Sequence, residues 1–490
     1  MYFLPTTEHP EKKEVSSAIL LTEEQTAALL KKKGSVLEDL IAQIVECGDF
    51  KGEKDQLIVV HTHGKIKPKH LMLVGLGKQE ELSLERIRRA SAYTIQKAKA
   101  MKLEKYGIII PFEKMKEQDA LKAVVEGIML GEYKFTKYKT EEKPKPKVKE
   151  VTLFVKKMEY VKDIIAETQI VCEATNFVRD LQNENAYIMT TLMIEKIARD
   201  IAKEHKLKIN VIDEKQLKKI GMNLLLAVGN ASRTPPRLII LEYHGAGSEE
   251  SIAILGKGIT FDSGGLNLKP TTKIETMRMD MSGAAIVLGT LKAAAQLKLR
   301  KNLIGVIPTA ENIIGSGAYK PGDVYISYSG KSVEIGNTDA EGRLILADAL
   351  AYTEINLKPA KMIDFATLTG AILVTFGEYV AGMMGTDKET MKKLFDAGQQ
   401  TYERVWELPL YDEYMDETKS DIADVSNLGY WPNAGPIMGA AFLKKFVQKT
   451  PWTHIDIAGT AWWDKPRHYT PKNGTGFGVR LMIEYLKNLS

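Results

Sequence analysis

Asp339, Glu341 and Arg343 fall at alternate positions in "NTDAEGRL" (Asn337–Leu344), directly before an apolar run. Along an extended chain, residues i, i+2 and i+4 share one side, so this spacing predicts two carboxylates and a guanidinium aimed together. On a helix, residues i and i+2 face apart. Two further stretches concentrate the same residue types. "GKGITFDSGGLNLKP" (Gly256–Pro270) supplies Lys257, Asp262 and Lys269, and "MRMDMSG" (Met277–Gly283) supplies Asp280. Four carboxylates converging without counter-charge would repel one another and raise their pKa values. Two divalent cations would balance them.

Each stretch also has a bland reading when taken alone. Asp280 is most simply a helix N-cap. "DAEGR" is a solvated loop leading into the helix "LILADALAYTEI". "GKG" is a turn, since it lacks the Walker pattern of a phosphate loop. The eight histidines are scattered and form no H-E-x-x-H, and "HTH" (His61–His63) reads as an exposed strand face. A metal centre here must therefore be built from oxygen ligands and, unusually, lysine nitrogen.

Elements must carry these residues to one place. At 490 residues the chain exceeds one ordinary core, which predicts two or more domains. Hydrophobic content of 44% with 27% charged residues describes a soluble globular protein. The 68 basic residues nearly balance 63 acidic ones, so the whole chain carries no nucleic-acid footprint. Two distant cysteines exclude a disulfide framework. The N-terminus lacks the pattern of a signal peptide, and no run reaches the roughly 20 apolar residues of a membrane span. A cytoplasmic setting is expected.

Residues 1–160 alternate between strand-like and helix-like segments. "HLMLVGLG" (His70–Gly77) and "YGIIIP" (Tyr106–Pro111) read as buried strands, with the helix "LERIRRASAYTIQKAKAM" between them. This βαβ alternation predicts an α/β domain with a parallel-rich sheet. The lysine-rich run Thr136–Glu150 reads as an exposed connector. The strand "VTLFV" and a connecting helix over 161–185 follow. A second α/β alternation occupies 186–490, with strands expected at Ile252–Leu255, Leu303–Pro308, Lys361–Ala366 and Thr453–Ile457 and a helix at Ser282–Leu297. The unusual polar residues lie in loops after these strands, where open α/β sheets bind ligands.

The three stretches, in this order and spacing, closely resemble the leucine aminopeptidase (cytosol aminopeptidase) family, whose signature the octet matches without mismatch. The resemblance continues through "TPPRLIILEY", "PTAENIIGSGAYKPGDV", "ATLTGA", "HIDIAGTAW" and "GFGVRLMIEYL", and is weaker over the first domain. One departure is "DLQNENAYIMTT" (Asp180–Thr191), where the family usually carries prolines.

The resemblance implies an α/β fold in two parts. A smaller macro-like N-terminal domain precedes a larger, zinc-exopeptidase-like domain with a mixed central sheet flanked by helices. It further implies removal of the N-terminal residue from peptides with a free amine, by a water activated between two divalent metal ions. Zinc or manganese is expected, and cobalt or magnesium would also be tolerated. By this resemblance one metal takes Asp262, Asp339 and Glu341, and the other takes Lys257, Asp262, Asp280 and Glu341. Lys269 would polarise the scissile carbonyl. Arg343 would hold bicarbonate as general base, while Met277, Thr367 and Gly370 would line a pocket for leucine-like side chains. A homohexamer is implied as well. A two-metal phosphatase is the rival enzyme class, but its phosphate would want more cationic or N–H donors than these loops supply. A DNA contact by the Thr136–Glu150 run is a secondary reading that would add to peptidase activity.

Overall fold

The computed structural model describes residues 1–31, 34–110, 115–141, 147–429 and 433–489. The chain divides into two compact units, one of residues 1–173 with 466–471 and the other of 174–465 with 472–490. The division falls within the helix Val161–Asn183.

The first unit is built on a six-stranded sheet. Its order is Tyr2–Thr6, Glu150–Phe154, Lys105–Ile109, Ser17–Thr22, His70–Gly77 and Leu57–His61. All neighbours are parallel except the last pair. His70–Gly77 is buried from Leu71 onward, as a strand covered on both faces requires. One cover comes from helices Leu84–Ala100 and Glu117–Glu132, which share an apolar core with the strands. The other comes from Val36–Glu46, whose N-terminus is closed by a reciprocal capping box between Ser35 and Glu38. Arg88 is buried between these helices, with Nε 2.6 Å from Glu126 and Nη1 2.8 Å from Glu85. Tyr469, from the late segment 466–471, donates its hydroxyl to the same Glu85 at 2.9 Å. Within the predicted connector Thr136–Glu150, residues 142–146 lie outside the described residues, as does Pro111 of the predicted strand Tyr106–Pro111.

The second unit carries a nine-stranded mixed sheet. Its path runs Val405–Glu407, Ala381–Gly385, Trp452–Asp456, Lys361–Ala366, Ser251–Gly256, Asn302–Asn312, Arg237–His244 and Lys208–Ile212, and Gly258–Asp262 pairs with Asn302–Asn312 beside it. Four neighbouring central strands are parallel, and antiparallel partners flank them on both sides. Helices Ser282–Gln296 and Glu341–Tyr352 are buried on nearly every face, which explains why their sequences are apolar all round instead of striped. Asp348, inside the second of these, accepts the backbone N–H groups of Leu224 and Leu225 at 2.9 and 3.1 Å. It thereby satisfies the start of helix Asn223–Gly229, which lacks a cap of its own. Among the described residues no helix is long and apolar enough to cross a membrane.

Candidate metal centre

Lys257 follows directly on the strand Ser251–Gly256, Asp262 ends Gly258–Asp262, and Thr367 follows Lys361–Ala366. The chemistry thus gathers at the carboxyl ends of parallel strands, as expected of such sheets. Asp280 arrives from the turn ahead of helix Ser282–Gln296, and Glu341 is the first residue of its own helix.

These residues form one buried knot. Lys257 Nζ lies 2.9 Å from Asp280 Oδ2 and 2.7 Å from Glu341 Oε1, and donates to the Thr367 carbonyl at 2.9 Å. Lys269 Nζ lies 2.8 Å from Asp262 Oδ2 and 2.5 Å from Asp339 Oδ1. Asp262, Asp280 and Glu341 each offer a carboxylate oxygen within 4.8 Å of the others. Four carboxylates therefore face two ammonium groups, and the balance is negative.

The ionisation behaviour follows from that crowding. Burial, with Glu341 and Asp280 nearby, holds Asp262 well above the usual carboxylate range. Burial pushes Asp280 up to about 7, with Glu341 adding to the rise against the pull of Lys257. Asp339 is raised by burial and by Glu341. Glu341 alone is lowered, because Lys257 and Lys269 outweigh its burial. For Lys257, burial favours the neutral amine, but Asp280, Glu341 and Asp262 overcome it and raise the pKa. Lys269 is raised in the same way by Asp262 and Glu341. In this state the two ammonium groups supply only part of the cationic charge that the four carboxylates require.

The donor set fits a hard divalent cation. Glu341 is 1% exposed, yet its Oε2 has no hydrogen-bond partner among the described residues. A buried anionic oxygen left open is costly unless a cation completes it. Oxygen ligands with one amine suit zinc, manganese, cobalt or magnesium.

Three readings from the sequence are corrected here. Asp339, Glu341 and Arg343 do not lie on an extended chain: Thr338–Asp339 is a turn, and Glu341–Tyr352 is helical. The turn arises because the Asn337 side chain accepts the Asp339 N–H at 2.7 Å, a local bond that competes with strand geometry. The octet is not solvated either, since Thr338 and Glu341 are almost fully buried and Arg343 is 8% exposed. Nor is Asp280 an N-cap. It closes the short turn Met277–Met279, while helix Ser282–Gln296 begins without a side-chain cap.

Arg343 donates from Nη1 to the carbonyl of Asn427 at 2.8 Å, and its Nε has no hydrogen-bond partner among the described residues. Thr367 donates its hydroxyl to Asp280 Oδ1 at 2.6 Å. Met277 lies one short turn before Asp280, and the exposed Gly370 opens helix Ala371–Phe376. His61 ends the strand Leu57–His61 and is exposed, as expected, whereas His63 is exposed in the turn that follows and so is not part of a strand face.

Several organising residues escaped sequence reasoning. Asn312 donates to Asp262 Oδ1 at 2.8 Å and to the Thr338 carbonyl at 3.0 Å, and Tyr319 donates to that same carbonyl at 2.7 Å. Asn427 is fully buried. Its side chain accepts the N–H groups of Gly336 and Asn337 and donates to the Asn337 carbonyl, so it clamps the octet from a distant loop. A lone amide or phenol has no spacing to announce it, so no signal in the sequence singles these residues out.

Comparison with known proteins agrees with this geometry. Residues 176–483 match the catalytic domain of the cytosol aminopeptidase family, and residues 20–142 match that family's N-terminal domain. A "Probable cytosol aminopeptidase" of Geotalea uraniireducens (strain Rf4) is 44% identical over 454 residues, covering 92% of this chain and 91% of the relative. One of Protochlamydia amoebophila (strain UWE25) is 42% identical over 458 residues, covering 91% and 90%. Among solved structures, the bottromycin maturation enzyme BotP in complex with Mn superposes with a TM-score of 0.86 at 28% identity, covering 97% of this chain and 99% of that one. The secondary nucleic-acid reading gains no support from these matches. On its sequence, its fold and the carboxylate–lysine knot at the strand ends, the chain belongs to the cytosol aminopeptidase family and is a metal-dependent aminopeptidase.

Proposed function

We propose that the chain holds two divalent cations and removes leucine-like residues from the free amino terminus of peptides in the cytoplasm. The observation that carries this reading is the buried knot itself, with three carboxylates within 4.8 Å of one another and an open Glu341 oxygen. In this proposal Asp262 and Glu341 would hold both cations, Lys257 and Asp280 would hold one of them, and Asp339, through side chain and carbonyl, the other. When bound, divalent cations supply charge that acidifies water and polarises a carbonyl oxygen.

The remaining work falls to the chain's own residues. With a cation bound, Lys257 Nζ would release its proton to solvent and serve as a ligand, because a charged ammonium has no lone pair to offer. Lys269, 14% exposed at its side chain, keeps its proton and presents it toward the oxygen on which charge develops. Arg343 is read as the residue that holds bicarbonate, the proposed general base, with its Nε free of other hydrogen bonds among the described residues. Met277, Thr367 and Gly370 are proposed to shape the pocket for the first side chain. Assembly as a homohexamer is proposed from the family resemblance.

The deciding experiment compares leucyl-p-nitroanilide with its N-acetylated counterpart in the presence of Mn²⁺. Hydrolysis of the free amine only is expected. Equal rates would overturn recognition of the amino terminus, and release of phosphate from p-nitrophenyl phosphate at a comparable rate would favour the phosphatase.

A further inference from the structure

Asp456 ends the strand Trp452–Asp456, is fully buried, and touches none of the carboxylates or lysines of the knot. Both of its oxygens are committed to one neighbouring turn and its own strand end. Oδ1 accepts the N–H groups of Leu368 at 3.1 Å and Ala458 at 3.2 Å, while Oδ2 accepts the Thr369 hydroxyl at 2.6 Å. Leu368 and Thr369 directly follow Thr367. That threonine contacts both halves of one ion pair at once, its carbonyl receiving Lys257 Nζ and its hydroxyl binding Asp280 Oδ1.

We propose that Asp456 is a positioning residue for the Lys257–Asp280 side of the centre, acting through the turn Thr367–Thr369. A carbonyl and a hydroxyl can aim two ligands only if the backbone carrying them is fixed. This turn leaves the strand Lys361–Ala366, so its fixation comes from the neighbouring strand, through Asp456. Removing the carboxylate strands the Leu368 N–H and the Thr369 hydroxyl in a buried place, and the turn must rearrange to satisfy them. Lys257 and Asp280 then lose their common aim. Outer partners that orient ligands in this way typically govern metal affinity by about 10–100-fold.

The proposal rests on the reading of Lys257 and Asp280 as cation ligands, so the test includes a variant of Asp280. Mn²⁺ alone is titrated calorimetrically into the full-length chain and into Asp456→Ala, Asp456→Asn, Thr369→Val and Asp280→Asn, with thermal unfolding of each measured in parallel. Asn can still accept the Leu368 N–H and donate to the Thr369 hydroxyl. Asp456→Ala is expected to lose roughly 10–100-fold in affinity at one class of site. Thr369→Val should lose less, and Asp456→Asn should recover most of the loss. A merely structural Asp456 would lower the unfolding temperature and leave Mn²⁺ affinity of the folded protein unchanged, which overturns the proposal. Should Asp456→Ala not fold, Thr369→Val decides alone: weakened Mn²⁺ binding supports the proposal and unchanged binding overturns it. If Asp280→Asn also leaves Mn²⁺ binding intact, the ligand assignment fails, and positioning of those ligands fails with it. If Asp280→Asn weakens binding while the Asp456 and Thr369 variants do not, positioning alone is wrong.

Discussion

Gly342 and Lys257 are in direct contact: a Cβ added at Gly342 would sit 2.6 Å from Lys257 Cε and 2.7 Å from its Nζ. The glycine of the octet, in the first turn of its helix, therefore makes room for the lysine that follows the strand Ser251–Gly256. Its replacement must push that lysine off Asp280 and Glu341.

Gly342→Ala is thus expected to spare the fold and damage the centre. Alanine favours a helix over glycine by about 1 kcal/mol, which offsets part of the crowding. Mn²⁺ affinity and leucyl-p-nitroanilide turnover should fall by about 10–100-fold at a nearly unchanged unfolding temperature. Normal Mn²⁺ binding by the variant would show that Lys257 is no ligand.

Glu341→Ala removes both the carboxylate oxygen that pairs with Lys257 and the unpartnered Oε2. Activity should disappear and the bound metal per chain should drop. Full activity with two metals retained would sink the bridging role.

The two lysines should fail differently. Lys257→Met deletes a proposed ligand, so metal affinity falls and excess metal restores part of the rate. Lys269→Met keeps the ligands and loses a charge aimed at the developing oxyanion, which costs about 2.7–4 kcal/mol, or roughly 10²–10³ in kcat. Metal stoichiometry measured beside kcat separates them, and the opposite pattern would reverse the assignment.

Away from the centre, Asp348 provides a pH test. Burial pushes its carboxyl up to about 7 despite three backbone N–H donors, from Leu224, Leu225 and Tyr328. The unfolded value is about 3.9, so the folded chain binds the extra proton between these limits. Stability from this group is therefore greatest at the acid end of that window and falls as pH rises toward 7. Asp348→Asn forfeits one acceptor, about 1–3 kcal/mol for an unsatisfied N–H. Its deficit relative to the parent should shrink from pH 5 to pH 8. A deficit that grows with pH would mean that the three donors outweigh burial.

Much of this arrangement was legible because it depends on repetition. The eight-residue run His70–Gly77 and the helix starting at Ser282 announce themselves by continuous or periodic apolar residues, and the strands that lead into Lys257 and Thr367 and the one that ends in Asp456 do likewise. The octet was legible as chemistry but not as geometry. Its residue types pointed to a cation centre, while the Asn337 side chain turned a supposed strand into a helix entry. Asn427 and Asn312 were invisible for another reason. Their bonds span 84 to 91 residues and 26 to 50 residues respectively, and nothing local marks an amide destined for such a partner.

The six residues 466–471 give the first unit a peculiar relation to protein synthesis. Tyr469 packs against Ala92, Leu130 and Cys172 and bonds to Glu85, so the first unit lacks a wall until residues 466–471 have been added. At roughly 5–20 residues per second, the approximately 300 intervening residues take about 15–60 s to emerge. Through that interval the Arg88–Glu85–Glu126 cluster waits on the nascent chain with its cover missing. The ribosome thus delivers the body of this unit first and the piece that closes it only after the intervening stretch of the second unit.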